Sequence, residues 1–342
     1  MLTVTDLSVK YGNTPVVNNI NLALGDDEIL MLVGPTGCGK TTILQALAGL
    51  VPISSGSIEL GHWQATADKN VPPEKRNVGM VFQDFALFPH LTVQQNVCFR
   101  LKNTAMADYW IELLRLDNFR DAKPDRLSGG QKQRVALART LAHEPDFVLL
   151  DEPLSNLDAA FKDSLRWEIR QALKAAGVPA IWVTHDQDEA LSVGDRVGVL
   201  NKGVIAQLDT PEKCFSEPTS RFVARFLGDA SFMPGQRKQN IVSTRIGQAP
   251  GNTTDTRAEH VDLLLRPDDI ALTVNGEHCN GSVDWVRFEG GTRLCAVTLD
   301  PIENESPIQL KIRVSHENAV QPNERVQLQI DTTHPLATFA RT

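Results

Sequence analysis

Lys40 and Thr41 close the octapeptide Gly34-Pro35-Thr36-Gly37-Cys38-Gly39-Lys40-Thr41, which fits the pattern GxxxxGK[ST]. An apolar run precedes it and a helix-like run follows, the context this pattern requires. The glycines let backbone N–H groups turn inward around a phosphate. The following helix would present its positive N-terminus to the same anion. Lys40 would reach the β- and γ-phosphates of a nucleotide, and the Thr41 hydroxyl would bind Mg²⁺. A glycine-rich turn with an accidental lysine is the structural alternative, and the flanking elements argue against it.

A second group of chemistry-bearing residues lies in Phe147-Val148-Leu149-Leu150-Asp151-Glu152. Four apolar residues predict a buried strand, and the two carboxylates fall at its C-terminal end, where open α/β sheets bind ligands. Asp151 would hold Mg²⁺ through its water shell, and Glu152 would polarise an attacking water. Taken alone, the pair also reads as an acidic turn; beside the glycine loop the catalytic reading is the stronger. Upstream stands Leu127-Ser128-Gly129-Gly130-Gln131. Ser128 is a good N-cap, Gly129 and Gly130 permit close backbone approach, and a helix begins around Gln131. This predicts a second helix N-terminus built to face an anion.

With these three motifs in this order, about the first two thirds of the chain resembles an ATP-binding-cassette (ABC) ATPase. The resemblance implies an α/β P-loop NTPase fold with a helical subdomain, and ATP hydrolysis with ATP and Mg²⁺ as cofactors. It adds Thr42 to the nucleotide-binding residues. It implies that Tyr11 stacks on adenine, that Gln83 senses γ-phosphate and Mg²⁺, and that His185 contacts the γ-phosphate. Ser155-Asn156-Leu157-Asp158 would link two active sites. Each of these has a structural alternative: Tyr11 as a half-buried strand aromatic, Gln83 as a solvated strand end, Asp158 as a helix cap, His185 as a structural histidine. Their joint occurrence in the family's order favours function. The resemblance further implies a head-to-tail dimer with a second copy, in which Ser128–Gln131 of one subunit covers ATP held by the phosphate loop of the other. With identical subunits, two-fold symmetry makes both sites equivalent.

The elements needed to position these groups are legible. Ile29–Val33, Val78–Phe82, Phe147–Leu150 and Ala180–Thr184 are uniformly apolar, as suits strands covered on both faces. Helix-like segments lie between them: Thr41–Leu50, Gln131–Ala142 and Asp158–Ala176. Alternation of this kind predicts a mostly parallel sheet with helices around it. A nucleotide-binding domain over 1–233 is expected, its helical subdomain over about 84–145. Near Phe232–Gly235 the helical periodicity fades, and short alternating segments follow: Val261–Leu265, Ser282–Phe288, Arg293–Leu299, Ile308–Val314 and Arg325–Ile330. Glu289-Gly290-Gly291 reads as a hairpin turn. The expectation for 234–342 is an all-β domain of oligonucleotide-binding (OB) type, with Gln236–Glu259 left unassigned.

That tail resembles the barrels appended to importer ATPases for sugars, polyamines and ferric iron, so an importer subunit is the first reading. Transmembrane permease subunits would contact the Gln83–Val93 region, and a substrate-binding protein would take part indirectly. The expected place is the cytoplasmic face of the cell membrane. The junction Ser220–Pro234 looks most like the ferric-iron group; Leu265-Arg266-Pro267-Asp268 is shared more widely. Lys102–Asp108 departs from the family by being abbreviated. A non-transport ABC ATPase is the alternative, but one cassette without a sustained heptad run speaks against it. The net charge of −8 and a tail without a basic-aromatic stripe argue against nucleic-acid binding. No run of 18 apolar residues is present. The five cysteines form no CxxC pair, so free thiols are expected. His260, His278, His316 and His334 form no spaced metal motif and read as surface residues.

Overall fold

The computed structural model describes residues 1–252, 258–303 and 306–341, the side chains of 159–161 excepted. They fall into two compact units, Met1–Pro211 and Glu212–Thr342.

The first unit opens with β1 (Leu2–Tyr11) and β2 (Thr14–Leu24), an antiparallel hairpin. The buried strand β3 (Ile29–Val33) leads through the glycine loop into α1 (Lys40–Ala48). A second hairpin, β4 (Ser55–Leu60) and β5 (Trp63–Thr66), joins β1 to complete a four-stranded antiparallel sheet. After β6 (Val78–Val81) the chain forms α2 (Val93–Val97), α3 (Ala105–Leu113) and α4 (Gly129–Ala142), which pack on one another. Then follow β7 (Phe147–Asp151), α5 (Ala159–Ala176), β8 (Ala180–Thr184), α6 (Gln187–Val193), β9 (Arg196–Asn201) and β10 (Val204–Asp209).

The central sheet has the order β10-β9-β3-β8-β7-β6. Every pairing is parallel except β9 with β10. All residues of β3 and β8 are buried, as expected of strands covered on both faces. The sheet β2-β1-β4-β5 contributes Leu2, Leu7, Ile20 and Ile58 to the same core as Leu30, Leu32 and Ile181. Only the opening strand of that sheet is legible in the sequence.

One buried cation ties α1 to this core. Arg76 Nη1 donates to the carbonyls of Ala46 and Leu47 at 2.7 Å each, and Nε to Val71 O at 2.7 Å. Its guanidinium lies 5.2 Å from the Trp63 ring centroid. Carbonyls at a helix C-terminus have no partner within the helix, and a cation there also complements the helix dipole. Burial pushes the Arg76 pKa down to about 10, which leaves it charged at neutral pH. Arg76→Met removes the side-chain donor to these carbonyls, leaving Ala46 O with only the Gly49 N–H, and is expected to lower unfolding stability by about 2–4 kcal/mol. Urea denaturation checks it; an unchanged midpoint at equal slope would remove Arg76 as a stabilising contact.

The second unit begins with α7 (Pro211–Ser216) and α8 (Arg221–Phe226). Next come β11 (Ser231–Lys238), β12 (Ile241–Thr244), β13 (Gly247–Asn252), β14 (His260–Leu265), β15 (Ile270–Val274) and β16 (Gly281–Phe288). The remaining strands are β17 (Thr292–Leu299), β18 (Gln309–Ser315), β19 (Arg325–Ile330) and β20 (Leu336–Ala340). The strands β11-β12-β13-β20-β14 close into a barrel, and β15-β19-β16-β17-β18 form a five-stranded sheet. The hairpin at Glu289-Gly290-Gly291 joins β16 to β17, with Gly290 at φ +82°. Within Gln236–Glu259 the described part is mostly strand, with turns at 239–240 and 245–246, and 253–257 lies outside the described residues.

The two units divide at Pro211, upstream of the change in periodicity at Phe232. Arg266 supplies the reason. Its Nη1 donates to Ala224 O and Asp229 O, its Nη2 to Phe215 O, and its guanidinium stacks 4.1 Å from the Phe215 ring centroid. A single buried arginine thus binds both short helices to the barrel.

Candidate active site

The phosphate-loop residues stand where β3 ends and α1 begins. Gly34 is buried, and a Cβ there would lie 2.5 Å from Leu200 O and 2.8 Å from Cys38 Sγ, so only glycine fits. Pro35, Thr36 and Gly37 are exposed at the tip, and Gly39 is the N-cap of α1. Cys38 is 5% exposed, and burial raises its pKa. Its side chain is buried, with Sγ 4.0 Å from Lys40 Nζ. Lys40 is also buried: its Nζ donates to Gly34 O at 2.7 Å and Pro35 O at 3.1 Å. The ammonium sits inside the curve of the loop, at the N-terminus of α1. Thr42, the next residue but one, is buried on α1.

The neighbouring strand ends bring in the acids. Thr41 Oγ1 donates to Asp151 Oδ1 at 3.1 Å, across 110 residues of sequence. Burial raises the Asp151 pKa, and the Thr41 hydrogen bond opposes that shift. Glu152 follows at φ +43°, left-handed backbone that a non-glycine residue adopts at a cost of about 1–3 kcal/mol. Its N–H continues the parallel ladder to Val183 O at 3.0 Å, and its carbonyl accepts from Ser155 Oγ at 2.9 Å. These bonds hold the turn, which swings the carboxylate toward His185, where Oε2 lies 3.0 Å from Nδ1.

Gln83 is exposed just beyond β6, and its carbonyl accepts from Asn156 Nδ2 at 2.9 Å. Tyr11 ends β1, is 49% exposed, and donates through its hydroxyl to Gln45 Oε1 on α1 at 3.2 Å. About half of the residue is exposed, and it stands beside the helix that carries Lys40.

Ser128, Gly129, Gly130, Gln131 and Asp158 fall in a separate cluster. Ser128 caps α4: Gln131 N–H donates to Ser128 Oγ at 3.3 Å, and Ser128 N–H donates to Gln131 Oε1 at 2.8 Å. The loop lines a cleft of about 300 Å³ with Asn156, Leu157 and Asp158. A Cβ on Gly129 would come 2.5 Å from Leu157 Cδ2, so the two segments approach closely. Asp158 precedes α5 but makes no side-chain capping bond, so that structural alternative loses its support. Arg134 pairs with Glu168 through two hydrogen bonds, 2.7 and 3.1 Å, and fastens α4 to α5 below the cleft.

Two supporting residues were not legible in the sequence. Asn96 is fully buried and bonds the backbone of Phe88, Leu91 and Thr92, which folds the stretch after Gln83. Arg139 on α4 donates to Phe85 O and Ala86 O, both residues of positive φ. The capping pattern Thr92-x-x-Gln95 was the available signal for the first. Nothing local announces the second. Phe85, Leu87, Phe88 and Leu91 are half-buried, so part of this apolar stretch serves the helical subdomain itself.

Ammonium, helix N-terminus, hydroxyl and two carboxylates therefore converge at the C-terminal edge of one parallel sheet, a donor set that fits a phosphate chain with a divalent cation. The family described as ABC transporter matches residues 17–155. The Fe(3+) ions import ATP-binding protein FbpC of Fusobacterium nucleatum is 38% identical over 78% of this chain and 74% of its own. The spermidine/putrescine import ATP-binding protein PotA of Oleidesulfovibrio alaskensis is 38% identical over 90% of this chain and 87% of its own. The sn-glycerol-3-phosphate import ATP-binding protein UgpC of Brucella abortus is 39% identical over 81% and 80%. Among solved structures, cbiO1 of Clostridium perfringens, part of the ABC transporter complex cbiONQ, superposes with a TM-score of 0.55 at 28% identity. It covers 62% of this chain and 89% of that one. The dimeric ATP-binding cassette MJ0796 bound to ADP and Pi gives 0.53 at 28% identity, with 62% and 99% covered.

Proposed function

The chain belongs to the ATP-binding subunits of ABC importers, an ATPase family that works with ATP and Mg²⁺, and on that premise we propose how its own residues divide the chemistry. The observation that carries the proposal is the meeting of Lys40, Thr41, Asp151, Glu152 and His185 at adjoining strand ends. Lys40 and the N-terminus of α1 hold the β- and γ-phosphates. Thr41 and Asp151 are the groups that would hold Mg²⁺, with Gln83 as a further ligand from the neighbouring loop. Bound there, the cation neutralises charge on the transferring phosphoryl group. Glu152 accepts the proton of the attacking water, and His185 orients that carboxylate and faces the γ-phosphate. Tyr11 offers its exposed ring to the adenine.

Ser128–Gln131 and Asp158 act on the second copy's nucleotide. Their support is their position: they share one cleft, and their own hydrogen bonds leave the exposed N-terminus of α4 facing outward. A solved dimer of a related cassette is consistent with this. The Asn156–Gln83 hydrogen bond then links the γ-phosphate-sensing loop of one site to the loop serving the other. Closure on ATP and release on hydrolysis would make the pair a two-state switch.

The membrane partner is a permease that lays a short cytoplasmic helix of its own against Gln83–Val93. Among the described residues no helix is long and apolar enough to cross a membrane. For cargo, the ferric-iron reading rests on the likeness of Ser220–Pro234. Relatives named for iron, polyamines and glycerol phosphate match at 38, 38 and 39% identity, so this subunit's sequence does not separate the three. Co-expression with the membrane proteins of its own operon tests the importer role. The expected result is a detergent-stable complex whose ATPase rises when cargo-loaded binding protein is added; ATPase indifferent to every such partner would overturn it.

A further inference from the structure

The second unit contains a cavity of about 600 Å³, remote in sequence from every nucleotide-site motif. Its walls come from the end of α8, from β11 and β14, and from the edge strand β18. Cavities of this size hold small-molecule ligands, and the charges lining this one are unevenly matched. Asp262 is neutralised by Arg221, whose Nη1 donates to its Oδ2 at 2.7 Å. Lys311 is neutralised by Asp229. Arg225 and Arg341 also line the cavity, and among the described residues neither guanidinium has an acidic or carbonyl partner.

Neither arginine is discharged by its surroundings. The Arg225 guanidinium rests 5.0 Å from the Phe232 ring centroid, and Phe232 in turn packs edge-on against Phe339 at 5.6 Å. A cation over an aromatic face keeps its in-plane N–H donors available. Arg341 is anchored at its main chain, whose N–H donates to His260 O at 3.2 Å, and its exposed side chain reaches the cavity. On the wall between them Ser231 is 8% exposed; its Oγ accepts from the Lys311 N–H, and its own proton has no acceptor among the described residues. Two free guanidiniums and a spare hydroxyl donor, set against the apolar wall of Phe232, make a donor-rich pocket with an excess of two positive charges.

We propose that this cavity binds a small multivalent oxyanion, a polycarboxylate or a phosphate compound, and is a ligand site separate from the nucleotide site. Guanidinium forks recognise carboxylate and phosphate with paired, charge-assisted hydrogen bonds, and both anion types satisfy the same donors. Against an overall charge of −8, this open, locally basic site is set apart from the rest of the surface.

Calorimetric titration of the full chain with citrate, and separately with inorganic phosphate, tests the proposal in Mg²⁺-free, nucleotide-free buffer. Saturable one-to-one binding of either probe is expected, and its affinity should fall as ionic strength rises. Binding of citrate alone identifies a carboxylate site, of phosphate alone a phosphate site, and of both the shared oxyanion chemistry. Arg225→Ala with Arg341→Ala should weaken binding at least about tenfold, whereas Lys40→Ala should leave it unchanged. Arg341→Ala alone, at an exposed position near the end of the described chain, should weaken it without lowering the thermal midpoint. No saturable binding in the millimolar range would overturn the proposal. So would binding that survives the double substitution, or that disappears in Lys40→Ala and therefore belongs to the phosphate loop.

Discussion

Glu152→Gln keeps ATP binding and lowers steady-state hydrolysis by about 10²–10⁴-fold, the usual cost of losing a positioned general base. The substitution preserves size, so the left-handed turn at φ +43° and the Ser155 bond to the Glu152 carbonyl should survive. It removes the only carboxylate within hydrogen-bond reach of His185 Nδ1 among the described residues. An amide oxygen is too weak a base to take a proton from water, and it offers His185 a neutral acceptor in place of a charged one. The phosphate-holding groups, Lys40 and the N-terminus of α1, follow β3 and its loop and are untouched. Bound ATP should therefore persist, and if closure depends on ATP the variant should accumulate as a nucleotide-loaded dimer. Two measurements decide it: turnover under multiple-turnover conditions, and elution volume with and without ATP. Turnover within a few-fold of the unaltered chain would remove Glu152 from the base's role.

Lys40→Ala acts on binding and on chemistry together. In the structure Nζ is buried and held by the carbonyls of Gly34 and Pro35. No other lysine or arginine occurs between Gly34 and Leu50, so nothing else in the loop or α1 supplies the charge. A hydrogen bond to a charged group contributes about 1.5–3 kcal/mol. Nucleotide affinity should accordingly fall by about 10- to 100-fold, and hydrolysis should drop below detection, since the ammonium also offsets charge that develops on the γ-phosphoryl group. Gly34 O and Pro35 O lose the ammonium as a donor, and Pro35 O keeps the Cys38 N–H, so the thermal midpoint must be measured beside a titration with labelled ATP. A variant that folds, binds ATP normally and hydrolyses it would mean that the loop does not hold phosphate.

The phosphate loop was legible because what it requires is local. Gly34, Gly37 and Gly39 free the backbone, an apolar strand precedes, a helix follows, and all of this lies within about twenty residues. The same holds for the Ser128–Gln131 capping box, although α4 starts at Gly129, two residues before the expected helix. Cys38 shows the limit even there. Its place between glycines says nothing of its direction, and only the fold shows that the thiol is buried, with its pKa raised, and so poorly reactive.

What the sequence by itself determined is the set of short, contiguous devices: the glycine loop, the acidic end of an apolar strand, the capped helix, and the change from helical to alternating periodicity. Their chemistry resides in neighbouring residues, so spacing is enough to read them. Tertiary structure decided everything that depends on strand order. Parallel pairing of β3 with β8 and of β8 with β7 sets Thr41 against Asp151 and Glu152 against His185, over separations of 110 and 33 residues. It also decided which arginines are structural: Arg76, Arg139 and Arg266 end against backbone carbonyls, while Arg225 and Arg341 face a cavity with their charge unspent. An arginine carries the same charge and the same donors in every sequence context. Whether it meets a carbonyl, a carboxylate or an empty pocket is settled only by packing between distant segments, which no local pattern encodes.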